Sequence, residues 1–322
     1  MAEPGPPGLT IPLTLGARLS WDYRRTHPDI ARLYSEAEQL QWTQRDIDWD
    51  SQQPVVPGDR TGFGREAFDA SALGRFGEPL WRAFRREQQA WMVSQFLHGE
   101  QSALVVSARL AEVLPDMDSK GYAASQAAEE ARHAAVFGRY AAEHLSHPYG
   151  VFPSFERLVG QILSDSRWDI LALGMHVMIE SLALGAFRLA SATFEDPLIR
   201  QITHLTSRDE ARHVSFGILL LGDVYGQLSE AEHRYREEFV MEAAALLSRR
   251  YLLTDIWERL GVDVALGTEF ARSNPMMQAY RCTIFGRVAR TLTAVGLMTP
   301  CIERQFEQLG LTKQDGRSAG KG

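Results

Sequence analysis

The chain reads as an all-α protein built around a four-helix bundle, and three observations predict it. A Glu-x-x-His pair, Glu130 with His133, returns eighty residues later as Glu210 with His213. A lone acid, Glu100, returns at the same offset as Glu180. Turn chemistry lies halfway along each half: Pro115 in Leu-Pro-Asp between Glu100 and Glu130, and Glu195 in Phe-Glu-Asp-Pro between Glu180 and Glu210. Residues three apart on a helix project from one face, so each pair can aim a carboxylate oxygen and an imidazole nitrogen at a single point. Helices on either side of each turn set Glu100 level with Glu130, and Glu180 level with Glu210. Two such antiparallel hairpins bring six donors to one height.

The elements follow in order. Residues 1–10, rich in proline and glycine, are expected to be a disordered leader, without the basic and apolar regions of a signal peptide. Pro28 to Gln41 predicts a short helix with an apolar stripe of Ile30, Leu33, Tyr34 and Leu40. Trp42 to Trp49 follows as an aromatic, acidic arm. Glu78-Pro79 opens the first bundle helix, which runs to about Leu114, and the second runs from about Asp118 to Leu145. A short helix, Phe155 to Leu163, bridges to the third, Trp168 to about Phe194. Within the third, Ile170 to Phe187 is apolar enough for a membrane span, but His176 and Glu180 sit in its middle. A central helix buried on most sides explains both features, and no membrane partner is expected. The fourth helix runs from about Asp196 to Tyr225. Ser229 to about Trp257 and Pro275 to about Leu297 then cover the bundle, with Arg236, Glu237 and Glu238 as a solvated face and with surface for a homodimer interface. A polar tail at 311–322 is expected to be disordered. The result is one domain, 11–310, with its core at 78–226.

Four carboxylates facing one another inside a bundle are costly unless neutralised. Two divalent cations cancel them, and mixed oxygen and nitrogen donors suit iron or manganese. The chain has 322 residues, 45% of them apolar, and a formal net charge of −7, which argues against a general nucleic-acid binder. Cys282 and Cys301 are too few for a thiolate zinc site or a disulfide framework, so a reducing cytoplasm is the expected location. A third Glu-x-x-His, Glu230 with His233, lies outside the repeat. Ser229 and Glu232 beside it form a capping-box signature, so it reads as a surface helix start.

One Glu from each of two helices and a Glu-x-x-His from each of the other two is the constellation of ferritin-like carboxylate proteins. On residues Glu129-Glu-Ala-Arg-His133 and Asp209-Glu-Ala-Arg-His213 the chain is identified as a member of the ferritin-like di-iron carboxylate superfamily. It resembles the bacterial multicomponent monooxygenases, the ribonucleotide reductase small subunits and the arylamine N-oxygenases, over roughly Leu80 to Gly226. The resemblance implies that Glu130 and Glu210 bridge two irons, with manganese as an alternative in either position. Glu100 with His133 would complete one coordination sphere, and Glu180 with His213 the other. Glu129, Asp209, Arg132 and Arg212 would orient the histidines and balance charge. The aromatic arm is similar to the segment before the bundle in reductase small subunits, which gives Trp42 or Trp49 an electron-transfer role as one alternative to plain packing.

Departures from the relatives narrow the function. Phe137 stands where the reductase subunits carry a radical tyrosine, with Tyr140 one turn on. Ser102 stands where the ligand-binding oxidases carry a crosslinked valine. Thr206 stands where the arylamine N-oxygenases carry a third histidine, while His176, four residues before Glu180, could supply an extra ligand or a pocket donor. Leu97, Ala127, Phe137, Val177, Leu184 and Phe216, each about one turn from a ligand, are the expected pocket walls. The expected activity is oxygen-dependent oxidation of a small organic substrate, at carbon or at an amine nitrogen, with electrons from an external donor. An iron-handling ferroxidase and a radical-generating subunit are the alternatives.

Overall fold

The computed structural model describes residues 11, 16–19, 21–51, 64–222 and 224–312. The expected leader at 1–10, and all but the first two residues of the expected tail at 311–322, lie outside the described residues. Among the described residues every regular element is helical. The bundle comprises α3 (Gly77–Val113), α4 (Met117–His144), the composite helix α6–α7 (Trp168–Thr193) and α8 (Pro197–Leu221). Ahead of it come α1 (Pro28–Gln39) and the short α2 (Arg65–Asp69), and α5 (Pro153–Ser164) bridges the two hairpins. Five elements follow: α9 (Glu230–Arg249), α10 (Thr254–Arg259), α11 (Val264–Ser273), α12 (Pro275–Ala294) and α13 (Pro300–Gln308).

Local chemistry sets these ends. Leu114, held extended at ψ 150° by the proline after it, stops α3. The Asp116 side chain then caps α4 by accepting from the Ser119 N–H. Asp196 caps α8 and Pro197 occupies its first turn, where a missing N–H costs nothing. The hairpins α3–α4 and α7–α8 pack side by side, α1 lies across α4 and α8, and α12 backs α7. The apolar window of α6–α7 is 94% buried among these neighbours, so its composition reflects a central helix.

Three details differ from expectation. The third bundle helix is not uniformly α: Leu173–Glu180 adopts a π-helix, with α6 (Trp168–Ala172) before it and α7 (Ser181–Thr193) after. Wider winding frees carbonyls, and the Ser181 hydroxyl donates to that of His176 at 3.1 Å. The helix expected from Ser229 to Trp257 breaks at Arg250–Leu252, a 3₁₀ turn ending in Leu253 at φ 56°. Arg236, expected on a solvated face, is instead buried and donates to Asp169 at 2.9 Å. The third Glu-x-x-His begins α9 behind the Ser229–Glu232 capping box, at the surface.

Candidate metal centre

Glu100 from α3, Glu130 and His133 from α4, Glu180 from the π segment, and Glu210 and His213 from α8 converge inside the bundle. None is more than 4% exposed. Donor atoms of Glu100, Glu130, His133 and Glu210 all lie within 4.8 Å of one another, and so do those of Glu130, Glu180, Glu210 and His213. Glu130 and Glu210 belong to both sets.

Each histidine turns Nδ1 inward. His133 Nδ1 is 3.0 Å from Glu100 Oε2 and 3.2 Å from Glu130 Oε2. His213 Nδ1 is 3.0 Å from Glu130 Oε1, but without hydrogen-bond alignment. The outward nitrogens are held crosswise, each by the acid that precedes the other motif's Glu. His133 Nε2 meets Asp209 Oδ2 at 3.0 Å, and His213 Nε2 meets Glu129 Oε2 at 2.7 Å. Arg212 donates to both acids, at 2.7 Å to Glu129 and 2.6 Å to Asp209, and Arg132 donates to Asp209 at 2.9 Å. The six predicted ligands and their four predicted supports thus form one network.

Trp42 joins it too. Its indole N–H donates to Asp209 Oδ2 at 2.7 Å, its ring stacks on His133 at 5.9 Å, and the Arg132 guanidinium lies over the ring at 4.8 Å. Trp49 is held elsewhere, donating to the Gln44 carbonyl beneath the Arg139 guanidinium.

Gln126 escaped the sequence reading. Its amide donates to Glu180 Oε1 at 2.7 Å and to Glu130 Oε1 at 3.3 Å, while its carbonyl accepts from His176 Nε2 at 3.0 Å. The signal was a polar side chain one turn before Glu130 on the same face. His176 itself lies 4.0 Å from Glu180 Oε2 and belongs to neither four-residue set. Burial, reinforced by the nearby His213 charge, lowers its pKa to about 3, so it stays neutral.

The donor set fits a pair of cations. Glu180 Oε2, Glu210 Oε2 and His213 Nδ1 are buried with no hydrogen-bond partner, and such atoms are costly unless something else satisfies them. Burial pushes the Glu100 and Glu180 carboxyls far above the usual range, with neighbouring carboxylates adding to it, and raises Glu210 in the same way. Glu130 is the exception: burial would raise it, but His213 and His133 more than offset that and hold it well below. Both cluster histidines are raised, because the carboxylates around them outweigh burial. Protein groups alone therefore hold this site by retaining protons, and metal ions would displace those protons.

A cavity of about 50 Å³ reaches Glu100, Glu180 and Glu210 from one side. Its walls include Phe96, Phe155, Phe187 and Tyr251, together with Gln95 and Arg250. None of the six expected wall residues lines it. Phe137 instead packs against Phe96 and Phe187, with ring centroids 5.7 and 5.6 Å apart. Distance along the helix does not locate the opening, which lies where α3 and α7 face the cluster beside Arg250 and Tyr251. Met92 and Tyr280 are shared with a larger outer chamber of about 230 Å³ between α3, α7 and α12.

Fold and site together define a carboxylate–histidine two-metal bundle of the oxygen-activating kind. The family model of the p-aminobenzoate N-oxygenase AurF matches residues 24–296, and the chain belongs to that family. It is therefore an oxygenase, an oxidoreductase that uses dioxygen on an organic substrate, and two iron ions are the cofactor that family and donor set fit. No curated protein matches the chain. Among solved structures, a mutant R2-like ligand-binding oxidase with an aerobically reconstituted Mn/Fe cofactor is similar, with TM-score 0.51 and 16% identity, covering 84% of this chain and 94% of that one. A second mutant of such an oxidase has TM-score 0.45 and 14% identity, covering 90% and 95%. The first supports the fold.

Proposed function

We propose that this chain N-oxygenates a small aromatic amine at a di-iron centre held by Glu100, Glu130, His133, Glu180, Glu210 and His213. The observation that carries it is the aromatic-walled cavity opening onto Glu100, Glu180 and Glu210, in a chain of a family named for oxidation of p-aminobenzoate. Glu130 and Glu210, common to both donor sets, would be shared between the two irons. The chemistry the irons supply when bound is reductive activation of dioxygen at the open edge of the cluster. The protein's part is to hold both imidazoles by their outer nitrogens, to exclude bulk water, and to present the amine at that edge. His176, neutral and hydrogen-bonded to Gln126, positions the Gln126 amide on Glu180. In the overall balance the amine nitrogen gains one oxygen atom and the other leaves as water, so an external donor supplies two electrons and two protons arrive from solvent.

The test is product analysis with isotopically labelled dioxygen: the iron-loaded chain, a chemical reductant and p-aminobenzoate should give a hydroxylamine carrying label. Label on ring carbon would replace N-oxygenation with hydroxylation, and iron oxidation without any labelled product would favour the ferroxidase alternative. A single domain over 11–310, a homodimer, an external electron donor and a cytoplasmic location complete the proposal. The two free thiols, Cys282 and Cys301, accord with the last. Light scattering of the purified chain tests the dimer, and a monomer would remove it.

A further inference from the structure

Two cavities meet at Met92 and Tyr280, and their sizes are unequal. The inner one, against Glu100, Glu180 and Glu210, has about 50 Å³. That is room for a few water molecules, whereas an apolar cavity that takes one benzene ring measures about 150 Å³. The outer one, between α3, α7 and α12, has about 230 Å³. Met92 of α3 and Tyr280 of α12 line both and so form the partition between them. Met92 is unbranched, the kind of side chain that gives way when a neighbour needs space. The metal end of this pair therefore admits an amino group and part of its ring, and the rest of any larger molecule lies in the outer chamber.

The lining of the outer chamber says what that remainder is. Leu189 of α7, Phe194 just after it, and Met276 and Met277 of α12 present carbon and sulfur. Three of its polar side chains are already engaged with protein partners. Arg85 donates to Gln88 at 3.4 Å, the Gln88 amide turns to Met277 Sδ at 4.0 Å, and Gln89 donates to the Tyr140 hydroxyl at 3.1 Å. We infer that the outer chamber is a second subsite, for an apolar group, so that the substrate is an aromatic amine extended by an apolar substituent opposite its nitrogen. The amine reaches the metal edge, its ring passes between Met92 and Tyr280, and the substituent lies against the methionines and Phe194. Flexible thioether side chains mould to such a group, and an apolar lining rewards its removal from water. The inference rests on the aromatic-amine reading above and extends it to the far end of the substrate.

The experiment compares aniline with 4-aminobiphenyl, which differ by one apolar ring, by calorimetric titration of the iron-loaded chain without oxygen. Wild type should bind 4-aminobiphenyl roughly 10- to 100-fold more tightly, the range for burying one aromatic side chain. Ala279 and Thr283 line the outer chamber from exposed positions one turn apart on α12. Ala279→Trp should fill the chamber and bring the two affinities close to equality, by weakening 4-aminobiphenyl while aniline binding and iron content stay as in wild type. Thr283→Trp should act in the same way from the next turn, and it carries the test if Ala279→Trp does not fold. Equal affinity for the two amines in wild type overturns the subsite, and so does an undiminished preference, or an equal loss of both amines, in a folded tryptophan variant. A tryptophan variant that changes the oligomeric state in light scattering and keeps the preference assigns the chamber to a contact between copies, and overturns it too. The two readings fail separately. Chamber-dependent binding of 4-aminobiphenyl without nitrogen oxidation would sink the proposed reaction and leave the subsite, whereas nitrogen oxidation of both amines with equal affinity would do the reverse.

Discussion

The two halves of the centre repeat one another in sequence and differ in how they are held. In the first, Glu100 rises from a regular α-helix and accepts from His133 at 3.0 Å, and the outer nitrogen of His133 leads to Asp209. Asp209 also receives Trp42, Arg132 and Arg212. In the second, Glu180 closes a π segment, turns to Gln126 instead of His213, and keeps one oxygen unpartnered. Repetition thus supplies the converging donors, and departure from it supplies an anchored side and a side with an unpartnered oxygen. The cavity touches both sides, and the distinction is open to mutation.

The largest effect should come from the residue both halves share. Glu130→Ala removes a donor from each four-residue set, so the chain should bind fewer than two irons, read as metal content after desalting. Two tightly held irons in that variant would remove the bridging assignment. Next are the crossed acids. Asp209→Asn and Glu129→Gln should each weaken iron affinity by roughly 10- to 100-fold. The Asp209 change should be the more severe, because it disturbs three further donors. Equal losses in a chelator competition would mean that the two sides are held alike.

Protonation gives a test that separates the bare cluster from the loaded one. Glu100, Glu180 and Glu210 titrate above, and His133 and His213 also above, their ordinary values, so near neutral pH the folded metal-free chain binds more protons than the unfolded one. Its stability should then fall as pH rises from about 5 toward alkaline values. Metal-loaded protein, whose ligands are already deprotonated, should show a flatter dependence over the same range. Thermal melts across pH decide this, and parallel slopes for the two forms would contradict the proton inventory.

The same contrast measures how much the sequence made legible. The eighty-residue offset marked the six side chains that converge, because a repeat constrains chemistry and register together, and the halfway turns marked the hairpins. Glu129 and Asp209 were legible as supports, but not that each serves the other motif's histidine, since that crossing depends on how α4 and α8 lie against each other. The π segment left no mark in composition, and its extra width per turn separates His176 from Glu180 and hands it to Gln126. Arg250 lay hidden because the helix containing it was expected to continue, and the break depends on packing around Leu253 as much as on local propensity. Trp42 and Trp49 looked equivalent in sequence, and only tertiary placement distinguishes them. Trp42→Phe should slow reduction of the metal centre and lower stability by about 1–2 kcal/mol through the lost bond to Asp209. Trp49→Phe should leave the reduction rate unchanged, and the reverse pattern would detach Trp42 from electron delivery.

The smallest change bears on the second half first. Gly217 lies on α8 against the π segment, and a Cβ built there would sit 2.3 Å from the Cβ of His176. That neighbour is fixed directly to backbone and cannot swing aside as a long side chain would. Gly217→Ala therefore has to move α8 or the π segment, at a cost of about 1–3 kcal/mol. Because His176 holds Gln126, and Gln126 holds Glu180, the displacement should reach the second half of the centre before the first. The expected outcome is a lowered Tm with iron loss confined largely to one of two binding steps in a ferrous titration. Equal weakening of both steps would show that the π segment and the regular helix opposite it form one rigid frame, and that the difference between the halves is of contacts only.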